Sequence, residues 1–194
     1  MTKLDESYWT DRYHSGKMGW DIGYPSTPLK SYIDQIVDKS IRILIPGAGN
    51  AYEAEYLNNQ GFGNLTVIDI SKAPLERLAA KCPDLSSDQI IHGDFFDYNG
   101  QYDLILEQTF FCALEPALRT SYLSKMNELL APEGKLVGVL FNIELNKDRP
   151  PFGGNIEEYI PLFKERFELK VFETCHNSIP PRQGSELFIN CIKT

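Results

Sequence analysis

The sequence has no apolar run near the roughly 20 residues that a membrane-spanning helix requires, and it has only four, widely scattered cysteines. No two cysteines form a C-x-x-C pair, so the sequence predicts neither a zinc site nor a disulfide framework. The first six residues, MTKLDE, are polar and acidic and do not resemble a secretory signal peptide. We therefore expect a cytoplasmic protein with no metal and no membrane partner.

Positive charge is also scarce in this chain. It has 19 lysines and arginines against 27 aspartates and glutamates, which gives a formal net charge of −8. A protein that binds nucleic acid needs a basic surface to neutralise phosphates, so nucleic acid is not an expected partner. A length of 194 residues with 42% hydrophobic residues is typical of one globular domain. We expect a single domain over residues 1–194, with a monomer as the default state.

Strand-like and helix-like segments alternate along most of the chain. Apolar segments rich in β-branched residues predict strands at 41–45, 65–70, 89–92, 102–107 and 135–141. Amphipathic segments predict helices at 29–37, 51–60, 72–81 and 116–130. This alternation indicates βαβ units and hence an α/β fold with a doubly wound, Rossmann-like, mostly parallel sheet. A helix at 156–166 and strands at 168–174 and 186–192 follow, and a closing hairpin would make the last strand antiparallel.

The first thirty residues differ from the predicted core at 31–194. They contain both tryptophans, Trp9 and Trp20, and several glycines and prolines. We interpret residues 1–30 as a cap that covers a binding site. The alternative is an N-terminal arm whose aromatic side chains pack on the surface of the domain.

A glycine-rich turn, Gly47-Ala48-Gly49, follows the first predicted strand, at the place where open α/β sheets bind ligands. A dinucleotide site would have a third glycine where this chain has Tyr52, and Glu53 would repel a pyrophosphate. S-adenosylmethionine has no phosphate and carries a sulfonium and an amine. The pattern therefore favours S-adenosylmethionine over NAD and disfavours an NAD-dependent oxidoreductase. A tight turn without a ligand is the alternative.

Acidic residues follow the next two predicted strands. Asp69 lies 22 residues after Gly47, near the separation of roughly 20 residues at which an acidic side chain binds ribose hydroxyls. Asp94 and Phe95 follow the third strand, and a carboxylate beside an aromatic ring suits the amine and the face of adenine. The alternatives are that the two aspartates cap turns and that Phe95 belongs to the core.

The fourth predicted strand leads into the segment Gln108-Thr109-Phe110-Phe111-Cys112. Its aromatic and small side chains would exclude water from a methyl donor. We expect one of the two phenylalanines to belong to the core. Cys112 is not expected to act as a nucleophile, because no base partner is evident.

Four motifs are more specific than a general Rossmann pattern: GWDIGYPSTP at 19–28, IPGAG at 45–49, FFCALEP at 110–116 with Arg119, and IPPR at 179–182. On these motifs the sequence resembles the thiopurine methyltransferase family, and within it the thiol and halide methyltransferase branch. The resemblance implies a seven-stranded sheet, S-adenosylmethionine as cofactor and S-adenosylhomocysteine as product. It also implies a cap folded over the cofactor and a pocket lined by nine residues: Trp9, Tyr13, Trp20, Gly47, Gly49, Asp69, Asp94, Phe95 and Gln108.

Two positions depart from that branch. By this resemblance, Tyr13 occupies a position at which the relatives have a tryptophan, and Gln108 occupies a position at which they have an aromatic residue. Both positions lie near the methyl donor in the implied pocket, so the departures leave the identity of the acceptor open.

The activity implied by the resemblance is methyl transfer to a small soft nucleophile, such as a thiol, bisulfide or halide, by in-line displacement. Phe110, Phe111 and His176 are the candidate acceptor-pocket residues, and no catalytic residue is assigned, because soft anions need no general base at the moment of attack. One alternative is O- or N-methylation of another small metabolite, with His14, His176 or Glu107 as the base. A second alternative is a non-catalytic module that binds S-adenosylmethionine.

Overall fold

The computed structural model describes residues 3–194, and these residues contain a seven-stranded sheet. The strands are β1 (Ile43–Pro46), β2 (Leu65–Asp69), β3 (Ile90–His92), β4 (Tyr102–Gln108), β5 (Leu130–Phe141), β6 (Phe167–Thr174) and β7 (Glu186–Lys193). Their order across the sheet is β3-β2-β1-β4-β5-β7-β6. The first five strands pair in parallel, and β7 runs antiparallel to both β5 and β6. The expected Rossmann-like sheet with an antiparallel last strand is confirmed.

Six α-helices accompany these strands in the part of the chain that the structure describes. They are α1 (Glu6–His14), α2 (Thr27–Ile33), α3 (Tyr52–Asn59), α4 (Lys72–Lys81), α5 (Arg119–Leu129) and α6 (Ile156–Lys164). None of the helices within residues 3–194 is long and apolar enough to cross a membrane.

Three elements have a boundary that differs from the expectation by three residues or more. Helix α2 spans Thr27–Ile33 rather than 29–37, because Pro28 suits the first helical turn. Residues 116–118 form a single 3₁₀ turn that precedes α5 rather than its first turn. Strand β5 begins at Leu130 rather than 135, because Leu130 pairs with Tyr102 before the register shifts.

The sheet is covered on both faces, as the alternation of side chains along β1 shows. Leu44 packs into one buried cluster together with side chains of α5 and α6. Ile43 and Ile45 pack into a second buried cluster, with side chains of α2, α3 and α4. Because successive side chains of a strand point to opposite faces, the two clusters lie on opposite sides of the sheet. This layering leaves the carboxyl ends of the strands open for a ligand.

The N-terminal segment contains helix α1, which the sequence pattern did not predict. Asp5 caps α1, since its Oδ1 accepts a hydrogen bond from Tyr8 N at 3.2 Å. The helix lies against α4 and its approach: Thr10 Oγ1 is 2.8 Å from Ser71 Oγ, and Arg77 Nη2 donates to Tyr13 O at 3.3 Å. These polar contacts hold α1 beside the carboxyl ends of the strands.

Candidate functional site

A cavity of about 780 Å³ lies where β1 to β5 end. Its wall includes residues from the strand ends and the turns after them: Gly47, Gly49, Asp69, Asp94, Phe95, Gln108, Thr109, Phe110 and Phe141. The N-terminal segment contributes Trp9, Arg12, Tyr13, Lys17 and Trp20. The remaining wall includes Cys112, Leu114, Leu118, Pro150, Pro151 and Arg182. All nine residues expected to bind the cofactor therefore lie on one cavity.

The turn after β1 brings its backbone close to the cavity. Gly47 has a φ of +79° and Gly49 a φ of +55°, a conformation that residues with a Cβ rarely adopt. At Gly47 an added Cβ would lie 2.9 Å from Phe110 Cδ2. Gly47 N also donates to Ile68 O at 2.8 Å, which ties the turn to β2. Both the backbone conformation and the close contact therefore require glycine at position 47.

Asp69 joins this turn to the start of α4. Its Oδ2 accepts from Ala48 N and its Oδ1 accepts from Ser71 N, both at 2.8 Å. Burial raises the pKa of Asp69 to about 6, although both amides favour the charged form. A carboxylate oxygen has more than one acceptor position, so each oxygen can also accept from a ribose hydroxyl in the cavity. Asp69 thus holds the backbone at the start of α4, as the alternative proposed, and also lines the cavity.

Asp94 and Phe95 form the next part of the wall. Asp94 Oδ1 accepts from Phe96 N at 2.8 Å, and its side chain is exposed towards the cavity. Phe95 is buried, and its ring packs edge-on against Phe110 at 5.2 Å between centroids. A hydrogen-bond acceptor beside an apolar ring is the surface that adenine needs.

Gln108 provides the test of whether these residues fit S-adenosylmethionine. Its Oε1 is buried and has no hydrogen-bond partner among residues 3–194. A buried polar atom without a partner is rare in native proteins and calls for an explanation. Gln108 lines the cavity with other atoms, and a rotation of its side-chain amide would bring Oε1 to the amine of a bound cofactor. The residues present therefore fit the cofactor that the sequence implied.

Three aromatic rings close the cavity from the N-terminal side. The ring of Trp20 packs edge-on against Trp9 and Tyr13, at 5.8 and 5.6 Å between centroids. Arg182 Nη2 donates to Trp20 O at 3.1 Å, which fastens this segment to the loop before β7. Of the three rings, that of Trp20 lies next to the Gly47–Gly49 turn, since an added Cβ at Gly49 would lie 4.0 Å from Trp20 Nε1.

Of the three candidate acceptor-pocket residues, one lines the cavity and two do not. Phe110 lines the cavity, but Phe111 does not: it is buried beneath the turn, against Tyr122 and Tyr159. His176 is exposed in the loop after β6 and also lies outside the cavity wall. The geometry gives Phe111 and His176 no contact with the space available to an acceptor.

Two polar side chains near the turn after β4 are unsuited to base or nucleophilic chemistry, Glu107 by its position and Cys112 by its protonation. Glu107 is fully buried behind the wall, where its oxygens contact backbone amides and Tyr122. Burial raises the pKa of the Cys112 thiol, whose Sγ donates to Thr109 O at 3.3 Å. Cys112 is therefore a thiol at neutral pH and not an activated thiolate.

Arg182 is a wall residue for which the sequence motifs predict no role. It belongs to the IPPR motif, and its Nη1 lies 3.3 Å from Glu186 Oε1. The motif itself was the only available signal, because Arg182 is far along the chain from the other cavity residues. The backbone path of the loop before β7 decides that this guanidinium enters the cavity.

Two solved methyltransferase structures have the same fold. The 1,6-didemethyltoxoflavin-N1-methyltransferase of Burkholderia thailandensis, solved with S-adenosylhomocysteine, superposes with a TM-score of 0.77 at 19% identity, over 97% of this chain and 87% of that one. A TehB-like methyltransferase from Corynebacterium glutamicum superposes with a TM-score of 0.68 at 17% identity, over 97% and 98% of the chains. The strand order and the cavity at the strand ends thus define the class as a Rossmann-like methyltransferase fold.

Comparison at the level of sequence identifies the family. The profile of the thiopurine S-methyltransferase family matches residues 4–192. A probable thiol methyltransferase 2 of Arabidopsis thaliana is 29% identical, over 96% of this chain and 84% of the relative. A thiocyanate methyltransferase 1 of Brassica oleracea is also 29% identical, over 94% and 83%. The chain belongs to the thiopurine S-methyltransferase family and is an S-adenosylmethionine-dependent methyltransferase.

Proposed function

We propose that this enzyme transfers a methyl group from S-adenosylmethionine to a small soft nucleophile, namely a thiol, bisulfide or halide. When it is bound, the cofactor supplies a methyl group activated by its sulfonium. The observation that carries the proposal is that the guanidinium of Arg182 lies over the ring of Phe141, 5.3 Å from its centroid, on a cavity wall that also includes the apolar side chains of Phe110 and Leu114. A guanidinium in an apolar wall favours an anion that gives up its hydration readily.

In this proposal the chain holds the cofactor by three polar groups. The Asp69 carboxylate accepts from the ribose hydroxyls, and the Asp94 carboxylate accepts from the adenine amine. The Gln108 Oε1 accepts from the amine of the amino-acid part, which gives this buried oxygen its partner. Trp9, Tyr13 and Trp20 cover the bound cofactor and exclude water from it.

The rate enhancement then comes from alignment and desolvation by the cavity wall. Phe110 packs against the Gly47 turn and holds the space next to the methyl donor closed to water. The guanidinium of Arg182 attracts the anionic acceptor into this space. Its Nη1 and Nη2 contacts to Glu186 and Trp20 fix its orientation while leaving further N–H donors for the acceptor.

The names of the relatives support the same acceptor class, since two of them are a thiol and a thiocyanate methyltransferase. The alternative of O- or N-methylation is less well supported. It needs a base, and the three candidates for that role lie outside the cavity wall: His14, His176 and Glu107. The alternative of a non-catalytic module does not explain why the cavity has Arg182 on its wall, since a module that only binds the cofactor needs no site for an acceptor.

We further propose that residues 1–194 act as one methyltransferase domain, with residues 1–30 as the cap and 31–194 as the Rossmann-like core. Residues 1 and 2 of this cap lie outside the described part of the chain. The proposal takes the enzyme to be a cytoplasmic monomer with a small-molecule acceptor and without a nucleic-acid partner. The net charge of −8 supports the last point.

The first experiment is calorimetric titration of the purified protein with S-adenosylhomocysteine, with NAD as the control. We expect micromolar binding of S-adenosylhomocysteine, about 8 kcal/mol of binding free energy, and no binding of NAD. Absence of S-adenosylhomocysteine binding by the folded protein would refute the proposal.

The acceptor is tested with three aromatic compounds that differ only in the attacking atom: benzenethiol, phenol and aniline. Bisulfide, iodide and thiocyanate complete the panel, and formation of S-adenosylhomocysteine is the readout. We expect turnover with benzenethiol and the anions, and none with phenol or aniline. Turnover of phenol or aniline in preference to benzenethiol would instead establish the O- or N-methyltransferase alternative.

The pH profile separates an acceptor-controlled reaction from one that uses an enzyme base. The pH profile of kcat/KM is measured with two thiols of different pKa. The midpoint of the profile should move with the pKa of the thiol, because the thiolate attacks without a protein base. A midpoint that stays constant for both thiols would show that a side chain removes the proton.

A further inference from the structure

Glu107 is a buried acidic residue that the proposed function does not use. It is the next-to-last residue of β4, and it has no exposed surface. Ile105, the preceding residue on the same face of the strand, is buried and apolar and belongs to the same cluster as Tyr122. Placing a carboxyl group in such a core costs free energy unless its oxygens are bound.

Both oxygens of Glu107 are bound by groups on different elements. Oε1 accepts from Phe110 N at 2.8 Å and from Phe111 N at 2.9 Å, in the turn after β4. Oε2 accepts from the hydroxyl of Tyr122, on α5, at 2.6 Å. One oxygen therefore holds the turn, and the other holds the carboxyl group in place.

The strand beside Glu107 makes room for it. Gly138 of β5 is its partner in the sheet, and an added Cβ at Gly138 would lie 2.4 Å from Glu107 Cβ and 2.9 Å from its Cγ. A side chain at position 138 would displace the carboxyl group. The close fit gives Glu107 one defined position.

The turn that Glu107 holds is strained and forms part of the cavity. Thr109 has a φ of +58°, which is unusual for a β-branched residue. A conformation of this kind persists only where surrounding contacts enforce it, and it commonly marks a functional site. Gln108 and Phe110, on either side of Thr109, both line the cavity.

From these contacts we infer that Glu107 is a positioning residue: its Oε1 fixes the turn at 108–111 and thereby sets where Gln108 and Phe110 meet the cofactor. This inference rests on the proposed function for the identity of the ligand. It also explains why a carboxyl group is present, since two adjacent buried amides converge on a single acceptor atom. Glu107 acts through the turn and touches neither cofactor nor acceptor.

The test compares Glu107→Met, which keeps the length of the side chain without an acceptor, with Glu107→Gln, which keeps Oε1. Tyr102→Phe is the matched control, because it removes a buried hydroxyl contact (2.5 Å to Tyr98) at the opposite end of β4. Hydrogen exchange of the peptide covering 108–113 is measured in ligand-free protein. Binding of S-adenosylhomocysteine is measured by calorimetry.

In Glu107→Met we expect exchange at 108–113 to rise and the affinity for S-adenosylhomocysteine to fall, each by about 10-fold, since two amides lose their acceptor. Glu107→Gln should restore most of both properties, and Tyr102→Phe should leave both at the wild-type level. A folded Glu107→Met protein with wild-type exchange and wild-type affinity would overturn the inference.

A measurement on the unmodified protein covers the case in which Glu107→Met does not fold. The amide resonances of Phe110 and Phe111 are followed by NMR between pH 5 and 9. Burial raises the pKa of Glu107 to about 7. The titratable groups that interact with it are Tyr122 and Cys112, and Cys191 lies beside Tyr122. Burial raises the pKa of all three groups, so that they stay protonated over this range.

We expect both amides to shift with one common midpoint, and the shift to be absent in Glu107→Gln. Amides of Phe110 and Phe111 that exchange in the wild-type protein as fast as amides of exposed loops would overturn the inference even if no variant folds, because such amides would have no acceptor in Glu107. The NMR and exchange data come from ligand-free protein. A wild-type protein that fails to bind S-adenosylhomocysteine would therefore refute the proposed function, while these two measurements decide the role of Glu107.

Discussion

The ring of Phe110 lies directly over the backbone of Gly47, so closely that an added Cβ at 47 would come within 2.9 Å of Phe110 Cδ2. Gly47 belongs to the turn after β1, and Phe110 belongs to the turn after β4. These strands are neighbours in the sheet although they are far apart in sequence. The contact couples the part of the cavity proposed for the cofactor to the part proposed for the acceptor.

Replacing Gly47 by Ala should therefore affect both parts of the cavity. The substitution combines a positive φ of +79° with a collision, and we expect it to cost about 1–3 kcal/mol of stability. Affinity for S-adenosylhomocysteine should fall about 10-fold or more, as measured by calorimetry. Gly49→Ala is the control, because Gly49 also has a positive φ but meets only Trp20 Nε1, at 4.0 Å. Equal losses in the two variants would show that backbone strain, and not the Phe110 contact, matters.

Asp94 should determine recognition of the adenine base. If its carboxylate accepts from the exocyclic amine, S-inosylhomocysteine, which has an oxygen at that position, should bind the wild-type protein about 10- to 100-fold more weakly. Asp94→Asn presents an amide that can donate to this oxygen, so the difference between the two ligands should shrink. Competition binding measures both affinities. Equal affinities in the wild-type protein would remove Asp94 from the adenine site.

Both tryptophans of the chain lie on the cavity wall, so intrinsic fluorescence should report binding. We expect S-adenosylhomocysteine to change the emission, and Trp20→Ala to weaken binding by about 10-fold through loss of apolar contact. Circular dichroism should show that this variant remains folded. Global unfolding of Trp20→Ala would instead support the alternative of an N-terminal arm that packs on the surface.

Glu107 should make the stability of the protein depend on pH. Burial raises its pKa from the ordinary 4.5 to about 7, so the folded state retains a proton that the unfolded state releases at lower pH. The free energy of unfolding should then decrease as the pH rises from about 4.5 to about 7, and change little from this cause above pH 7. Urea unfolding at several pH values measures this slope.

Glu107→Gln should remove the part of this slope that lies between pH 6 and 7. Asp69 contributes in the same direction only up to about pH 6, where its own raised pKa lies. The difference between wild type and Glu107→Gln also cancels the contributions that the two proteins share. A variant with the same slope as the wild type would show that Glu107 is ionised in the folded protein at neutral pH.

The elements that sequence patterns predicted well are those with a local cause. Helix α4 begins and ends at the predicted residues, and β2 differs by one residue, because apolar periodicity and a flanking turn define each of them. The Gly47 turn, Asp69 and Asp94 were found for a related reason. Parallel strands in an α/β sheet present their carboxyl ends at one edge, so polar residues after successive strands converge there.

Other features had no local cause. Phe110 and Phe111 are adjacent residues of the same type, so the sequence does not distinguish them. In the structure, the ring of Phe110 lines the cavity, while that of Phe111 is buried against Tyr122 and Tyr159. The chain turns here with a positive φ at Thr109, and Glu107 accepts hydrogen bonds from the amides of both phenylalanines. A sequence does not reveal such a backbone conformation at a non-glycine residue.

The sequence by itself determined the order of strands and helices, the polar residues at the strand ends and the family. Those properties follow from periodicity, turn chemistry and motif identity, all of which depend on residues that are close together in the sequence. Only the tertiary structure decided that Glu107 lies behind the wall, that His176 lies outside it and that Arg182 enters it. Their positions depend on how segments distant in sequence pack, because burial and hydrogen bonding are satisfied for the whole chain at once.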